Sequence, residues 1–287
     1  MPGNPEKPPW LRIRAPTDPR FAEIRALIGE RGLNTVCTAS RCPNMGECWS
    51  SGHATFMILG GTCTRHCRFC SVPSGEGEEL DPDEGAKIAD VVDEIGLRHV
   101  VITSVTRDDL DDGGAGHFAS VVHDIRKRCK DVTVELLIPD LMGDEVDLDT
   151  IIDSHPDVIG HNLETVRRMH PDVRDPRSSY DLSLGVLRHL GEMDETILTK
   201  SSLMLGLGET EEEVLDTMGD LLESGVELLT LGQYIQPLGS GLMVQEYVHP
   251  YRFDRFREIG LEMGFRHVAS GPFVRSSYRA GEALESL

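Results

Sequence analysis

Residues 54–70 read ATFMILGGTCTRHCRFC. The run opens with a short apolar and β-branched stretch of the kind that makes a buried strand, and ends in cysteines at 63, 67 and 70. Working outward, the same kind of stretch recurs at 99–103, 132–138, 158–162, 198–205 and 228–234, each separated from the next by residues of helical periodicity. Ile88, Val91, Val92 and Ile95 stand at i, i+3, i+4 and i+7, one apolar stripe that should pack on the sheet. Thr210 with Glu213 three residues on has the pattern of a capping box, followed by Val214, Leu215 and Met218 on one side. Further helices are expected at 21–30, 116–128 and 180–193. Six strand–helix units with right-handed crossovers predict an α/β fold: a partial (β/α)6 TIM-like barrel with its active site at the C-terminal ends of the strands. The expected organisation is an N-terminal cysteine-bearing extension over 1–53, the barrel over 54–264 and a short C-terminal segment over 265–287.

A chain of 287 residues with 39% hydrophobic and 27% charged residues is long enough for one large core and has a globular composition. Forty-nine acidic residues against 28 basic ones give a net charge of −21, which repels nucleic acid and anionic membranes. The longest apolar runs fall well short of the ~20 residues that span a bilayer, and the first ten residues are polar and proline-rich, without a signal-peptide core. A cytoplasmic protein with neither nucleic acid nor membrane as partner is expected.

Six of the seven cysteines fall between positions 37 and 70, in two triplets. Without an export signal, such clustering points to metal or redox chemistry rather than disulfides. The CxxxCxxC of Cys63, Cys67 and Cys70 follows the first strand, where a barrel places its reactive loop. Structural zinc wants four ligands, usually in CxxC pairs, and fits this spacing poorly. A four-iron cluster on three cysteines keeps one iron open for a cofactor. Cys37, Cys42 and Cys48 form the second triplet, again one ligand short. Cys129 reads as a buried or half-buried helical thiol, and the eleven histidines show no HxxxH or HExxH spacing.

Thr103, Ser104, Arg107, Asp108 and Asp109 follow the second strand, at the expected barrel mouth. The alternative there is an Asp-rich polar turn. Asn162 and Glu164 stand after the fourth strand, and Tyr234 ends the sixth with Gln233 and Gln236 near it. Lys200, inside the fifth strand, should face the lumen, because an unpaired buried ammonium is costly. Ser277 by itself reads as a capping or surface residue.

CTRHCRFC, with Phe69 before its last cysteine, resembles the signature of the radical S-adenosylmethionine superfamily. Adding the upstream CTASRCPNMGECW, the chain resembles the lipoyl synthase family within it. KPPWLRIRAP, TSVTRDDLDDGGAGHF, HNLETV, SLMLGLGET and GPFVRSSYRA are similar to that family's blocks across nearly the whole length. PLGSGLMVQEYV departs from it, lacking a histidine near Gly241 and a proline near Met243.

The resemblance implies two [4Fe-4S] clusters and S-adenosyl-L-methionine. One cluster would sit on Cys63, Cys67 and Cys70; an auxiliary cluster would sit on Cys37, Cys42, Cys48 and, through the RSSY motif, Ser277. It implies insertion of two sulfur atoms, at C6 and C8, into a protein-bound octanoyl-lysine, with sulfur drawn from the auxiliary cluster. Partners would be lipoyl carrier domains of 2-oxoacid dehydrogenase E2 or of the glycine cleavage H protein, with ferredoxin or flavodoxin as reductant. Phe69, Thr103, Ser104, Asn162, Glu164, Lys200 and Tyr234 are expected to bind the cofactor, and Arg107, Asp108, Asp109 and Arg275 the substrate. A biotin-synthase-like sulfur inserter would share the first motif without the upstream triplet or the RSSY ending. A non-enzymatic metal-binding protein would carry zinc.

Overall fold

A computed structural model describes residues 4–12, 18–40, 42–237, 240–278 and 280–281. Of the sequence blocks quoted above, residues 13–16, Arg41, 238–239 and Arg279 lie outside the described residues, as do 282–287 of the expected C-terminal segment. All six expected strands form: β1 (Ala54–Ile58), β2 (His99–Ser104), β3 (Thr133–Leu137), β4 (Val158–Gly160), β5 (Leu198–Leu205) and β6 (Leu228–Gln233). A seventh, β7 (His267–Gly271), corrects the strand count and opens the stretch expected to be only a C-terminal segment. Only Val268 of its five residues is fully buried, so HVASG carries too little apolar signal to be read as a strand. The sheet runs β1 to β7 in sequence order, every pair parallel, and β1 does not pair with β7.

The helices are α1 (Pro19–Glu30), α2 (Val36–Ala39), α3 (Met45–Ser50), α4 (Glu84–Ile95), α5 (Ala115–Arg128), α6 (Glu145–Ile152), α7 (His170–Val173), α8 (Tyr180–Met193), α9 (Glu211–Glu223) and α10 (Pro250–Met263). The stripe on α4 buries Ile88, Val91 and Val92, and the helix stops where Gly96 turns left-handed at φ 69°. The α9 capping box is complete: Thr210 accepts from the Glu213 N–H while the Glu213 carboxylate accepts from the Thr210 N–H at 2.8 Å. Cys129 was expected on a helix; it caps the end of α5 instead, with its Sγ 3.7 Å from the Ala89 carbonyl.

The N-terminal extension is packed into the barrel. Ile24, Ile28, Cys37 and Trp49 share one core with Phe56 and Ile58 of β1, and Thr35 bridges Phe56 antiparallel, covering the outer edge of β1. A second core lies between β5–β7 and α8–α10. After β7 the chain turns back toward β1. Asn44 Nδ2 donates to the Phe273 carbonyl at 2.5 Å, and Thr55 Oγ1 donates to Ser277 Oγ at 2.9 Å. The path passes so close to β6 that a Cβ on Gly232 would lie 2.1 Å from the Val274 oxygen. Among the described residues, no helix is long and apolar enough to cross a membrane.

Thr210→Ala should destabilise the fold by about 1 kcal/mol in denaturant titration, the usual loss for an N-cap. Arg168, followed by the Thr210 N–H, holds the Glu213 carboxyl down from 4.5 to about 2. Since the folded value is the lower one, its contribution is full above about 4.5 and is lost as pH falls through about 2. The stability deficit of Glu213→Gln should therefore be present at neutral pH and shrink across that window.

Candidate functional site

The loop after β1 leaves the sheet through Leu59, a buried residue held left-handed at φ 67°, and returns on itself where Cys63 N–H meets the Pro73 carbonyl. It thereby lies beyond the C-terminal ends of the strands. Each of its cysteines accepts one backbone N–H: Cys63 from Arg65 at 3.4 Å, Cys67 from Asp175 at 3.3 Å and Cys70 from Val72 at 3.4 Å. Burial raises the Cys67 thiol above its ordinary value, countered by Arg174. Phe69 packs with Tyr234 on a small apolar cluster at the same end.

Several expected cofactor residues converge here. Asn162 Nδ2 donates to Glu164 at 3.1 Å, and Glu164 is held left-handed at φ 72°. Desolvation raises the Glu164 carboxyl, while Arg174 pulls it down. The Ser104 hydroxyl and Arg174 Nε are buried with no hydrogen-bond partner among the described residues. An unsatisfied guanidinium nitrogen close enough to Cys67 to act on its thiol suits a cluster with a bound amino-acid cofactor, whose carboxylate would meet Arg174.

Other expected residues have partners within the protein. Thr103 Oγ1 is engaged by the Leu137 carbonyl at 2.7 Å. The Tyr234 hydroxyl donates to the Leu242 carbonyl at 2.9 Å. Arg107, Asp108 and Asp109, expected to meet the substrate, are engaged in ion pairs: Arg107 is buried, pairs with Asp109 at 2.8 Å and supports the Leu59 carbonyl at 3.0 Å, and Asp108 pairs with Arg65 and Arg177. A buried guanidinium needs such acceptors. Lys200 likewise pairs with Glu135 at 2.6 Å, and His99 approaches the other Glu135 oxygen at 3.2 Å. Burial alone would raise Glu135; Lys200 and His99 outweigh it and hold the carboxyl below its usual range. Gln233 is also committed, its amide bonded to the backbone of Leu205, Glu246 and Val248.

The second triplet makes a separate pocket. Cys37, Cys42 and Cys48 line it together with Thr55, His99, Arg275 and Ser277. Ala54 and Thr55 begin β1 and His99 begins β2, so this pocket lies toward the N-terminal ends of those strands. Five residues of β1 at ~3.3 Å each put the two cysteine sites on the order of 15 Å apart along the strand. Lys200 belongs to this side of the molecule through His99, away from Cys67. Burial, and then the neighbouring Cys42, push the Cys37 thiol up to about 11. Desolvation lowers the Arg275 guanidinium while Cys42 counters it, and among the described residues no carboxylate pairs with it. Three thiols, a hydroxyl and an uncompensated cation suit a thiolate-ligated cluster, whose negative charge would face Arg275.

Residues that the sequence reading passed over are Arg65, Asp140, Arg174, Asp175 and Arg177. Asp140 alone had a usable signal, its position directly after a barrel strand. The others lie within the cysteine motif or a charged loop, where pairing cannot be read from spacing.

Lys200→Met leaves Glu135 buried with only His99 and should cost about 3–5 kcal/mol in denaturant titration, much of it recovered by Lys200→Met with Glu135→Leu.

A model of the radical SAM superfamily matches residues 57–221. The chain is 50% identical over 283 residues to the lipoyl synthase of Rubrobacter xylanophilus, covering 99% of this chain and 88% of that one. With the lipoyl synthase of Natronomonas pharaonis the identity is 52% over 287 residues, covering 98% and 93%. Among solved structures, the FeFe-hydrogenase maturase HydG from Carboxydothermus hydrogenoformans superposes with a TM-score of 0.64 at 13% identity, over 93% of this chain and 69% of that one. Methylornithine synthase gives 0.54 at 12% identity, over 79% and 67%; likeness at this level speaks for the fold alone. With half of its residues shared along nearly its full length, and both cysteine triplets set into one partial parallel barrel, this chain belongs to the lipoyl synthase family of the radical SAM superfamily.

Proposed function

We propose that this chain inserts two sulfur atoms, at C6 and C8, into an octanoyl group held in amide linkage on a lysine of a lipoyl carrier domain. The observation that carries this reading is the pair of incomplete three-thiol sites at opposite ends of β1, one of them joined by a serine hydroxyl and an uncompensated guanidinium. Cys63, Cys67 and Cys70 would hold one [4Fe-4S] cluster, and Cys37, Cys42, Cys48 and Ser277 a second. When bound, the first with S-adenosyl-L-methionine supplies hydrogen abstraction from unactivated carbon, and the second supplies the sulfur.

The protein's own groups then have distinct tasks. Arg174 Nε and the Ser104 hydroxyl, unsatisfied in the protein, orient the polar groups of S-adenosylmethionine. Glu164, steadied by Asn162, accepts from its hydroxyls, and Phe69 with the Tyr234 ring gives an apolar wall. Ser277 accepts from Thr55, which leaves its own proton to be given up on ligation. Its oxygen would be a harder donor than a thiolate and would hold iron less tenaciously, which would suit a cluster that gives up its sulfur. Arg275 balances the charge of that site.

The carriers are octanoylated domains of 2-oxoacid dehydrogenase E2 or the glycine cleavage H protein, with ferredoxin or flavodoxin as electron donor, in a cytoplasmic setting. Anaerobically reconstituted protein should hold about eight irons, two cubanes by the cysteine count. With dithionite, S-adenosylmethionine and an octanoyl-lysyl peptide, mass spectrometry should show 5′-deoxyadenosine and a peptide carrying two added sulfurs. Cofactor cleavage with no sulfur on the peptide would move the substrate elsewhere, and zinc in place of iron would overturn the reading.

A further inference from the structure

Arg65 lies between two cysteines of the first site and is 4% exposed. Its guanidinium meets two carboxylates at once: Asp108 through Nε and Nη2 at 2.9 and 2.8 Å, and Asp140 through Nη1 and Nη2 at 2.5 and 2.7 Å, with Ser178 Oγ at 3.0 Å. Asp140 is followed by Leu141 at φ 45° and Met142 at φ 53°, left-handed backbone in two residues that resist it, and the Met142 N–H closes back on Asp140 at 3.1 Å. Strain of this kind persists only where the surroundings impose it.

The pairing continues past Asp108. Its second oxygen accepts from Arg177 Nη1 at 2.9 Å, and Arg177 turns to Asp175 through Nε and Nη2 at 2.9 and 3.1 Å. Arg177 Nη2 also donates to the Thr64 carbonyl at 2.7 Å, and Asp175 Oδ2 accepts from the His66 N–H at 2.7 Å. The chain of ion pairs thus starts from the cysteine loop at Arg65 and returns to it at Thr64 and His66. Its last member, Asp175, sends its own N–H onto Cys67 Sγ at 3.3 Å. Cys63 and Cys70 take their N–H from residues two positions further along the same loop, whereas the donor to Cys67 is 108 positions away and depends on this ring for its place.

We propose that Arg65, Asp108, Asp175 and Arg177 form a positioning ring whose task is to hold the Asp175 N–H on the Cys67 sulfur and thereby set the reduction potential of the radical-generating cluster. The inference rests on the functional reading above. A backbone N–H on a cluster thiolate draws charge from sulfur and favours the reduced, more negative state, so its loss makes the cluster harder to reduce. None of the four side chains need touch the cofactor.

Arg177 has the most exposed side chain in the ring, 44%, and its removal leaves the core intact. Arg177→Gln is to be compared with the parent protein by potentiometric electron paramagnetic resonance, following the signal that changes shape when S-adenosylmethionine is added. The expected result is unchanged iron per chain and melting temperature, with the midpoint potential of that signal lowered by at least about 59 mV, a tenfold change for a one-electron couple. The rate of 5′-deoxyadenosine formation should fall with flavodoxin as donor and recover with a stronger reductant. Arg177→Lys, which keeps a donor to Asp175, should recover part of the shift and gives the reading if Arg177→Gln fails to hold iron. Unchanged potentials in both variants would overturn the ring's role while leaving the functional reading intact. A parent protein with no iron on Cys63, Cys67 and Cys70 would instead overturn that reading, and this inference with it.

Discussion

A parallel sheet whose first and last strands do not pair leaves two edges and a gap, and unpaired edge N–H and C=O groups must be covered. Segments from before β1 and after β7 converge on that gap. On one side residues 34–35 lie along β1, with the Asn34 carbonyl accepting from Met57 at 2.9 Å and Thr35 bridging Phe56. On the other, the segment after β7 passes over Gly232 and reaches Thr55 through Ser277, 222 positions away in sequence. Closing the gap therefore creates the pocket in which the upstream cysteines, Arg275 and Ser277 meet. The same open barrel places the other triplet beyond the opposite ends of the strands, so one scaffold holds two cysteine sites apart and gives them different surroundings.

Charge is distributed to the same end. In a protein at −21, a cation inside the fold has abundant acids to choose from, and here the buried ones are each fixed by named partners: Arg65 by Asp108 and Asp140, Arg107 by Asp109, Lys200 by Glu135. Such pairs contribute little net stability, because desolvation offsets most of the attraction. Their effect is geometric. Arg65 fixes the cysteine loop against the loops after β2 and β3, and Arg107 holds the strained turn at Leu59 from which that loop departs. Arg275 differs: among the described residues no carboxylate pairs with it, and it lies in a pocket where three thiols could gather negative charge.

Position in a strand does not reveal what a side chain meets. Alternation tells which face of a strand a side chain takes, and strand order tells which end of the barrel it is near. Neither says what lies opposite. Lys200 was expected to face the lumen because an unpaired buried ammonium is costly; it is buried and paired, its partner comes from β3 across β4, and nothing in TKSSLML announces Glu135. Tyr234 stands at the expected mouth, yet its hydroxyl is taken by Leu242, in a stretch where the sequence departs from the family it resembles. The seventh strand escaped notice because it is half-buried and short, so the apolar pattern that marks the inner strands is absent.

What the sequence determined by itself is whatever repeats or is spaced locally: the strand–helix alternation, the apolar stripe of α4, the capping box of α9 and the two cysteine triplets with their missing fourth ligand. These depend on contacts within a few residues along the chain, where period and spacing translate directly into geometry. Only the tertiary structure decided which of the 49 acids each arginine would take, that the Asp175 N–H would fall on Cys67, and that a serine near one end would join cysteines near the other. Coulomb attraction between an arginine and any of those carboxylates is nearly the same in kind and size, so sequence cannot rank the candidates; the closing of the sheet around them does.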